Sequence, residues 1–388
     1  MDSGRQPPRF GSRWVVEQRA RMFGDPVAKL RYLRSTMGVA RVEQPVRRPV
    51  RRHWPVLAIL ALAGLLATPM PTASDVAWAP ATPEALPPVV LTPVEDRLPD
   101  VWLVDSSETL DLYSNGLRVE KQHTVANQQR RYPVYDRETL DLIEWRTGPI
   151  GIVYHTTESH LAPFDPTHNG RLRRVGEWLL AYVRKNRSYH YLIDRFGRVH
   201  RVVRETDAAN HAGHSVWAWG DEVYVNLNPS FLGIAFEMQT EPGETHAVVK
   251  PAQLRAALVL TQMLRCKYGI RGENCVTHAQ VSVNHLSMRI GNHTDWAADF
   301  PFAAVELGDN YGIPAPAIES FGFEYDPEFL RSTGAAVWKG VLLGEDLFRQ
   351  RAFAAGVTVA ELRKARKRRY REILKTIEDE IASQENNL

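Results

Sequence analysis

The sequence predicts an α/β fold with a mixed central β-sheet flanked by helices, an N-terminal membrane segment and a helical C-terminal extension. Three observations support this fold class. Short apolar runs rich in β-branched residues alternate with helical patterns in the central part of the chain. An uncharged apolar run follows a basic N-terminal arm, and the C-terminal part repeats apolar residues at helical spacing. The formal net charge of +3 over 388 residues is too small to indicate a nucleic-acid partner, and we expect none.

The N-terminal part predicts a membrane anchor. Residues 1–53 form a basic arm with 13 Lys or Arg against four acids, and residues 54–70 carry no charged side chain. This run is close to the ~20 residues that span a bilayer, and its basic flank favours a cytoplasmic N-terminus. A cleaved signal peptide is the alternative, because small residues follow the run. We therefore expect a single-pass protein of the cytoplasmic (inner) membrane, with its catalytic domain on the periplasmic or extracytoplasmic side.

The strand-like segments begin after a proline-rich linker at residues 71–100. Residues 101–147 contain short strand-like runs between polar turns, and we expect them to form a small β collar. The main domain is predicted over residues 148–312 and opens with the buried-strand run IGIVYH. In the helix that follows, the spacing places Leu172, Val175, Leu179, Tyr182 and Val183 on one face.

The later elements are predicted to be mostly helical. Pro251 marks a helix N-terminus, because proline is favoured in the first helical turn. Residues 313–388 form the helical C-terminal extension, where Thr358 and Glu361 have the spacing of a capping box. The helix that follows has a basic patch from Lys364 to Arg371. Such a patch is consistent either with a solvated helix surface or with binding to anionic polymers.

The two cysteines, Cys266 and Cys275, leave two possibilities open. In an exported domain they could form one local disulfide. Alternatively, both could remain reduced, half-buried thiols.

Histidines occur at several conspicuous positions of the main domain. His155 ends the first buried strand, and strand ends are where sites gather in α/β folds. Residues 276–296, VTHAQVSVNHLSMRIGNHTDW, contain His278, His285, His293 and Asp295. Imidazoles and carboxylates are common metal ligands, but a polar loop rich in histidine would look much the same.

The order of the segments around these histidines resembles a known family. The runs IVYHTTES, YHYLIDRFGRVHRVV, NHAGHS, LGIAFEMQ, VTHAQVSVNHL and HTDWAADFPF follow one another as in the type-2 N-acetylmuramoyl-L-alanine amidases, the zinc family that includes the peptidoglycan-recognition proteins. The resemblance covers roughly residues 148–305. Each motif is weak by itself, whereas six in the family's order make a specific match.

The resemblance implies one zinc ion held by His155, His278 and Asp295. Two imidazoles and one carboxylate leave a fourth tetrahedral position for water, as a hydrolytic zinc site requires. The sequence departs from the family by having 17 residues from His278 to Asp295 and by having Trp-Ala where members have Pro-Gly. These departures leave His285 and His293 as alternative third ligands.

The resemblance also implies two catalytic side chains. Tyr189 matches a tyrosine that assists catalysis in the phage-type enzymes; the alternative is an aromatic side chain that lines the groove. His293 matches the position of a lysine or histidine that stabilises the oxyanion, where a donor is useful because negative charge develops on one oxygen. The glutamate of the family's "GIE" strand is replaced by Ala235, which makes Glu237 a minor candidate for general base.

Further positions are assigned to substrate binding or to the core. Thr156 and Thr157 offer hydroxyl groups after the first strand. His211 resembles a residue of the substrate groove, although it could equally stabilise a turn. His190 is expected to be a core histidine with its hydrogen bonds satisfied. 

The expected function is that of a zinc-dependent N-acetylmuramoyl-L-alanine amidase, which hydrolyses the amide between the lactyl group of N-acetylmuramic acid and L-alanine. Its partner would be peptidoglycan or muropeptides. Two alternatives remain: a peptidoglycan-binding module of the same fold without catalysis, and a zinc peptidase that cuts the stem peptide.

Overall fold

The computed structural model describes residues 100–159, 161–239, 249–325, 329 and 338–385. The basic arm, the expected membrane segment at residues 54–70 and the linker lie outside these ranges, apart from Asp100. Within these ranges, no helix is both long and apolar enough to cross a membrane.

The strands are short and build two main sheets and one small hairpin. They are β1 (Leu103–Ser106), β2 (Leu110–Tyr113), β3 (Arg118–Glu120), β4 (Tyr132–Asp136), β5 (Leu142–Arg146), β6 (Gly151–Thr156), β7 (Tyr191–Ile193), β8 (Val199–Arg201), β9 (Val216–Trp219), β10 (Glu222–Val225), β11 (Phe231–Phe236), β12 (Cys275–Thr277), β13 (Val283–Asn284) and β14 (Arg289–Ile290).

The helices alternate with strands in the main domain and dominate the C-terminal part. They are α1 (Asn169–Asn186), α2 (Pro251–Tyr268), α3 (His278–Val281), α4 (Pro316–Phe321), α5 (Lys339–Ala354) and α6 (Val359–Glu385). The start of α2 at Pro251 agrees with the sequence prediction.

The central sheet is mixed, as predicted. Its strand order is β1-β2-β3-β8-β7-β11-β6-β12. Strand β11 pairs in parallel with both β6 and β7, and β12 pairs in parallel with β6. Among the outer strands, β2 is antiparallel to both of its neighbours, β1 and β3. Because the four parallel strands β6, β7, β11 and β12 point the same way, their carboxyl ends lie at one edge of the sheet.

The strands of residues 101–147 do not form a sheet of their own. Strands β1 to β3 extend the central sheet, because β3 pairs in parallel with β8. Strands β4 and β5 join a second, antiparallel sheet with the order β5-β4-β10-β9. The expected strands are therefore present, but they belong to sheets of the main domain. These strands do not form a separate collar, because short strands on their own would leave backbone donors and acceptors unpaired.

The two faces of the central sheet have different partners. Side chains alternate along a strand, so Tyr154 and His155 of β6 point to opposite faces. Tyr154 belongs to an apolar cluster with Leu260 and Leu264 of α2. On the other face, Leu179 of α1 packs in a cluster with sheet residues. The side chain of His155 therefore lies on the face of the sheet that α1 covers.

Helix α1 buries most of the predicted face. Leu172, Leu179 and Val183 are buried, whereas Tyr182 is 65% exposed. Tyr182, which the spacing places on the same face, therefore lies outside the buried part of the helix. Successive helical residues are ~100° apart, and packing has turned α1 so that Leu180 is buried and Tyr182 is not.

The C-terminal helix α6 begins with the predicted capping box. The Thr358 backbone N–H donates to Oε2 of Glu361 at 2.9 Å, and the Glu361 N–H donates to Oγ1 of Thr358 at 3.2 Å. Further along, Tyr370, Ile373 and Ile377 are buried in an apolar cluster that also contains residues of β9 and β10. The extension therefore packs on the second sheet.

The two cysteines are not joined. Sγ of Cys266 accepts a hydrogen bond from the Val101 N–H at 3.4 Å, and Sγ of Cys275 donates to the Arg271 carbonyl oxygen at 3.6 Å. Of the two possibilities left open by the sequence, the structure has the free thiols.

Candidate active site

Three side chains from separate segments meet at the carboxyl edge of the central sheet. His155 lies near the end of β6, and His278 is the first residue of α3, directly after β12. The parallel register of β12 with β6 pairs Thr277 with Tyr154, so the two histidines follow at the same level. Asp295 enters from the loop after β14, where its carbonyl oxygen accepts a hydrogen bond from the Ala279 N–H at 3.2 Å.

The two histidines and the aspartate form a buried cluster. Each offers one ligand atom, and these atoms all lie within 4.8 Å of one another. Nδ1 of His278 lies 2.8 Å from Oδ1 of Asp295, and Nδ1 of His155 lies 3.4 Å from Oδ2. Of the three candidates for the third position, Asp295 is the one that the structure brings to both histidines.

The electrostatics of the cluster favour an ionised carboxylate and a neutral His155. Burial opposes the charge of Asp295, but the neighbouring His278 and His155 hold the pKa of this carboxyl well below its usual range. Burial, reinforced by His278, lowers the pKa of His155 to about 4. A neutral imidazole has a lone pair to give to a metal ion, and an ionised carboxylate supplies negative charge.

This donor set fits a divalent metal ion. Two imidazoles and one carboxylate are a known set for catalytic zinc, which leaves one position for water or substrate. Nε2 of His278 is buried and has no hydrogen-bond partner among the described residues. Nδ1 of His278 faces Asp295, so this nitrogen would hold the metal ion and the proton would remain on Nε2.

A fourth histidine lies behind His155. Nδ1 of His211 is 3.1 Å from Nε2 of His155, and Nε2 of His211 is 3.2 Å from the carbonyl oxygen of Phe231. These contacts define one consistent tautomer, in which His211 donates to Phe231 and accepts from Nε2–H of His155. Nδ1 of His155 then faces Asp295 with a free lone pair. His211 is buried, and its expected contact with the substrate stays a prediction.

Gly233 of β11 makes room for this histidine. A Cβ atom on Gly233 would lie 2.6 Å from Cγ of His211, closer than real Cβ contacts allow. Glycine at this position therefore leaves room for the ring of His211 beside His155.

Tyr189 lies over the cluster in an uncommon backbone conformation. Its ring centroid is 5.1 Å from that of His155, and its φ of 61° is in the left-handed region. Such backbone is uncommon for a non-glycine residue and is often found at functional sites. Burial, together with the charge of Asp295, raises the pKa of the phenol above its ordinary value. The hydroxyl is therefore protonated at neutral pH and can donate a hydrogen bond.

His293 and His285 occupy different positions in the same loop. The ring of His293 stacks on that of His278, with centroids 4.6 Å apart, so it lies beside the cluster. Burial and the neighbouring His278 lower the pKa of His293. The ring of His285 instead lies 3.8 Å from that of His214. The structure thus brings His293, but not His285, to the candidate metal ligands.

The two threonines after β6 make local contacts. Oγ1 of Thr156 donates to Oε1 of Glu158 at 2.5 Å, and Oγ1 of Thr157 lies 2.8 Å from Oγ of Ser159. Thr156 is buried and Thr157 is half-buried. Their expected contact with substrate stays a prediction.

Glu237 is separated from the cluster. Its Oε2 accepts a hydrogen bond from the Arg195 N–H at 3.1 Å, in the turn between β7 and β8. Burial raises the pKa of this carboxyl to about 7, and the charges that act on it come from Asp194, Arg195 and Arg198. Its contacts among the described residues do not support the role of a general base at the histidine cluster.

Arg130 is the main buried group near the site that the sequence did not predict. Its guanidinium lies 2.5 Å from Nε2 of His190 and donates to the Glu205 carbonyl oxygen at 2.6 Å. Nδ1 of His190 accepts from the Gly233 N–H at 2.9 Å, so His190 is a satisfied core histidine as predicted. Arg130 contacts residues at least 60 positions away in the chain, so no local sequence pattern predicts these contacts.

The matched part of the chain contains this whole cluster. Residues 146–297 match the family model described as N-acetylmuramoyl-L-alanine amidase. Over 109 residues, the chain is 32% identical to N-acetylmuramoyl-L-alanine amidase AmiD of Escherichia coli (strain K12); this is 25% of this chain and 38% of AmiD. The chain thus matches less than two fifths of the length of that relative.

Solved structures show similar chains at lower identity. The complex of AmiD from E. coli with anhydro-N-acetylmuramic acid-L-Ala-D-gamma-Glu-L-Lys is 18% identical with a TM-score of 0.33, covering 55% of this chain and 98% of AmiD. AmpDh3 of Pseudomonas aeruginosa in complex with anhydromuramic pentapeptide is 21% identical with a TM-score of 0.30, covering 51% and 79%.

Proposed function

Because the domain within residues 146–297 belongs to the type-2 N-acetylmuramoyl-L-alanine amidase family, we propose that this protein is a zinc-dependent amidase of peptidoglycan. The bond cleaved would be the amide between the lactyl group of N-acetylmuramic acid and L-alanine. The observation that carries the proposal is the buried cluster of His155, His278 and Asp295, whose ligand atoms lie within 4.8 Å of one another.

The three clustered side chains would hold the metal ion. When bound there, zinc would polarise a water molecule and the scissile carbonyl group. Asp295 supplies the negative charge of the site, and His211 keeps His155 in the tautomer whose Nδ1 faces Asp295. The held imidazole does not need to reorient during the reaction, which lowers the cost of reaching the transition state.

Tyr189 and His293 would stabilise the oxygen on which negative charge develops. The phenol of Tyr189 remains protonated at neutral pH, because burial and the charge of Asp295 raise its pKa. His293 lies beside the cluster, with its ring stacked on that of His278. One preorganised donor of this kind contributes about 10²–10³-fold to kcat.

The reaction balances with water as the co-reactant. The hydroxyl of water bonds to the lactyl carbonyl carbon, and the bond from that carbon to the alanine nitrogen breaks. The second proton of water goes to the leaving nitrogen. The products are a muramic acid with a free lactyl carboxylate and a peptide with a free N-terminal alanine.

Metal removal tests the proposal. The full chain should release peptides with N-terminal L-alanine from sacculi; a chelator should abolish this release, and added zinc should restore it. A His278→Ala variant should lose activity at least a thousandfold, while the matched control His285→Ala should retain it. Full activity of His278→Ala would refute the assignment.

The products also separate the amidase from the two alternatives. Free N-terminal alanine and free lactyl carboxylate, identified by mass spectrometry, support the amidase. New termini inside the stem peptide would indicate a zinc peptidase instead. Binding to sacculi without any cleavage, together with no zinc in the purified chain, would indicate a peptidoglycan-binding module.

We also propose that residues 54–70 anchor the protein in the cytoplasmic membrane, with the amidase domain on the extracytoplasmic side. The support is the uncharged apolar run behind a basic arm. The full chain should stay in the membrane fraction after extraction with alkaline carbonate. A chain whose new N-terminus follows residue 70 would instead establish a cleaved signal peptide.

A further inference from the structure

Helix α6 carries basic residues on two different sides. On the side that faces the protein, each cation has a partner from another element. Arg363 pairs with Glu345 of α5 at 3.0 Å, and Arg369 pairs with Asp141 at 3.1 Å. Lys367 donates to Glu324 at 2.5 Å. These pairs attach the helix to the domain, together with its buried apolar residues.

Four other cations form a single line on the outer side, which we call the outer cationic row: Lys364, Arg368, Arg371 and Lys375. All four are exposed. They follow one another at intervals of four, three and four residues. At ~100° per residue they fall within an arc of about 60°, and at 1.5 Å per residue the row is ~17 Å long.

The outer cationic row is poorly neutralised in the protein itself. Across the residues that the structure describes, the acid paired with the row is Glu372, whose Oε1 lies 3.8 Å from Nε of the exposed Arg368. Neighbours within the row are three or four residues apart, a spacing at which like charges destabilise a helix. A bound anionic partner would remove this repulsion.

The shape of the row favours a strand-like anionic partner over a flat one. The row is one residue wide, because adjacent basic residues such as Lys367 and Arg369 are turned inward and paired. The exposed acids Glu378 and Asp379 follow its C-terminal end and would be repelled by an anionic lipid surface. A linear polymer that carries carboxylates at intervals can lie along the row without contacting Glu378 and Asp379.

We propose that the outer cationic row binds the free carboxylates of peptidoglycan stem peptides and so gives the enzyme a second attachment to its polymer substrate. This inference rests on the proposed function for the identity of the polymer. Each stem peptide carries free carboxylates, so several cations in a row can be engaged at once. Because the active site and the outer cationic row belong to the same protein chain, binding through both raises the apparent affinity for the polymer. The affinity of the active site for a single muropeptide does not change.

A pair of matched variants of the full chain tests the proposal. The row variant changes all four residues of the outer cationic row to glutamine. The control variant removes the same number of charges, again two Lys and two Arg, from scattered exposed positions: Arg118, Lys185, Arg255 and Lys339. Binding to purified sacculi is measured by sedimentation in chelator, so that the polymer is not digested.

The row variant should bind sacculi at least tenfold more weakly than the unchanged chain, and the dependence of its binding on salt should be smaller. The control variant should bind within twofold of the unchanged chain. A third variant, Arg368→Lys with Arg371→Lys, keeps the charge and should bind normally. Circular dichroism of each variant verifies that α6 is intact.

Several outcomes would overturn the inference. Equal losses in the row and control variants would mean that net charge, not the row, matters. Unchanged binding of the row variant would exclude the contact, and a loss seen only with anionic phospholipid vesicles or nucleic acid would indicate another partner. Cleavage of a soluble muropeptide should be equal in all variants; its absence even in the unchanged chain would refute the amidase assignment, while the comparison on sacculi would still stand.

Discussion

Replacing His211 with alanine should weaken zinc binding without removing any candidate ligand. The change deletes the partner of Nε2 of His155, at 3.1 Å, and the donor to the Phe231 carbonyl oxygen, at 3.2 Å. His155 then loses the contact that fixes its tautomer and ring orientation. Loss of such a partner of a metal-binding histidine typically weakens metal affinity 10–100-fold, or about 1.4–2.7 kcal/mol.

The assay is a competition titration of the metal-free full chain against a chromogenic zinc chelator. The unpaired carbonyl oxygen of Phe231 should also lower the free energy of unfolding by about 1–3 kcal/mol, which a denaturant titration of the metal-free chain measures. The matched control is His214→Ala, because His214 lies in the same loop and contacts His285 instead of the cluster. It should leave zinc affinity unchanged.

The reasoning would be refuted by a His211→Ala variant that binds zinc within twofold of the unchanged chain. If, in addition, its KM for a soluble muropeptide rose, His211 would be a substrate-binding residue after all, as the sequence suggested. The two roles thus differ in a measurement that does not depend on catalysis.

Three further changes have defined expectations. Tyr189→Phe should lower kcat about 10²–10³-fold with little change in KM, because the ring stays and the donor to the oxyanion is lost. Gly233→Ala places a Cβ 2.6 Å from Cγ of His211, so it should cost about 1–3 kcal/mol of stability and weaken zinc binding, both measurable as above. Glu237→Gln should remove a pH dependence: the pKa of Glu237 rises from 4.5 to about 7 on folding, so the folded chain holds an extra proton between these values. Stability should therefore fall by up to about 3 kcal/mol as pH rises through this window, and the glutamine variant should not show that fall in denaturant titrations at pH 5 and 8.

Each of these expectations has a control and a contrary result. Tyr182→Phe changes an exposed phenol and should leave kcat unchanged; an equal effect of both tyrosine changes would contradict the assignment of Tyr189. Normal zinc affinity in Gly233→Ala would mean that His211 moves without affecting His155. If Glu237→Gln keeps the same loss of stability between pH 5 and 8, another group causes it.

Local patterns explain which parts of the fold were predictable. The capping box of Thr358 and Glu361 joins groups three residues apart, so the sequence alone identifies it. The apolar run that ends at His155 predicts a buried strand with a polar side chain at its end. Such features depend on periodicity and on hydrogen bonds between near neighbours, both of which are visible in one dimension.

The tertiary structure decided what depends on pairing between distant segments. The sequence predicted that residues 101–147 form a separate collar. In the structure, β3 pairs with β8 and β4 pairs with β10, because an edge strand gains backbone hydrogen bonds from any strand of compatible geometry. The turn of α1 about its axis, which exposes Tyr182, likewise follows from packing and not from helical spacing.

The same division holds for the candidate site. The sequence by itself determined the residue types and the order of the motifs, and so proposed His155, His278 and Asp295 while leaving His285 and His293 open. Only the fold selects among them, since the register of β6 with β12 and the path of a loop set which atoms come within 4.8 Å. Arg130 and the placement of His211 behind His155 needed the structure for the same reason: a contact across many residues of chain is set by three-dimensional packing, which no local pattern encodes.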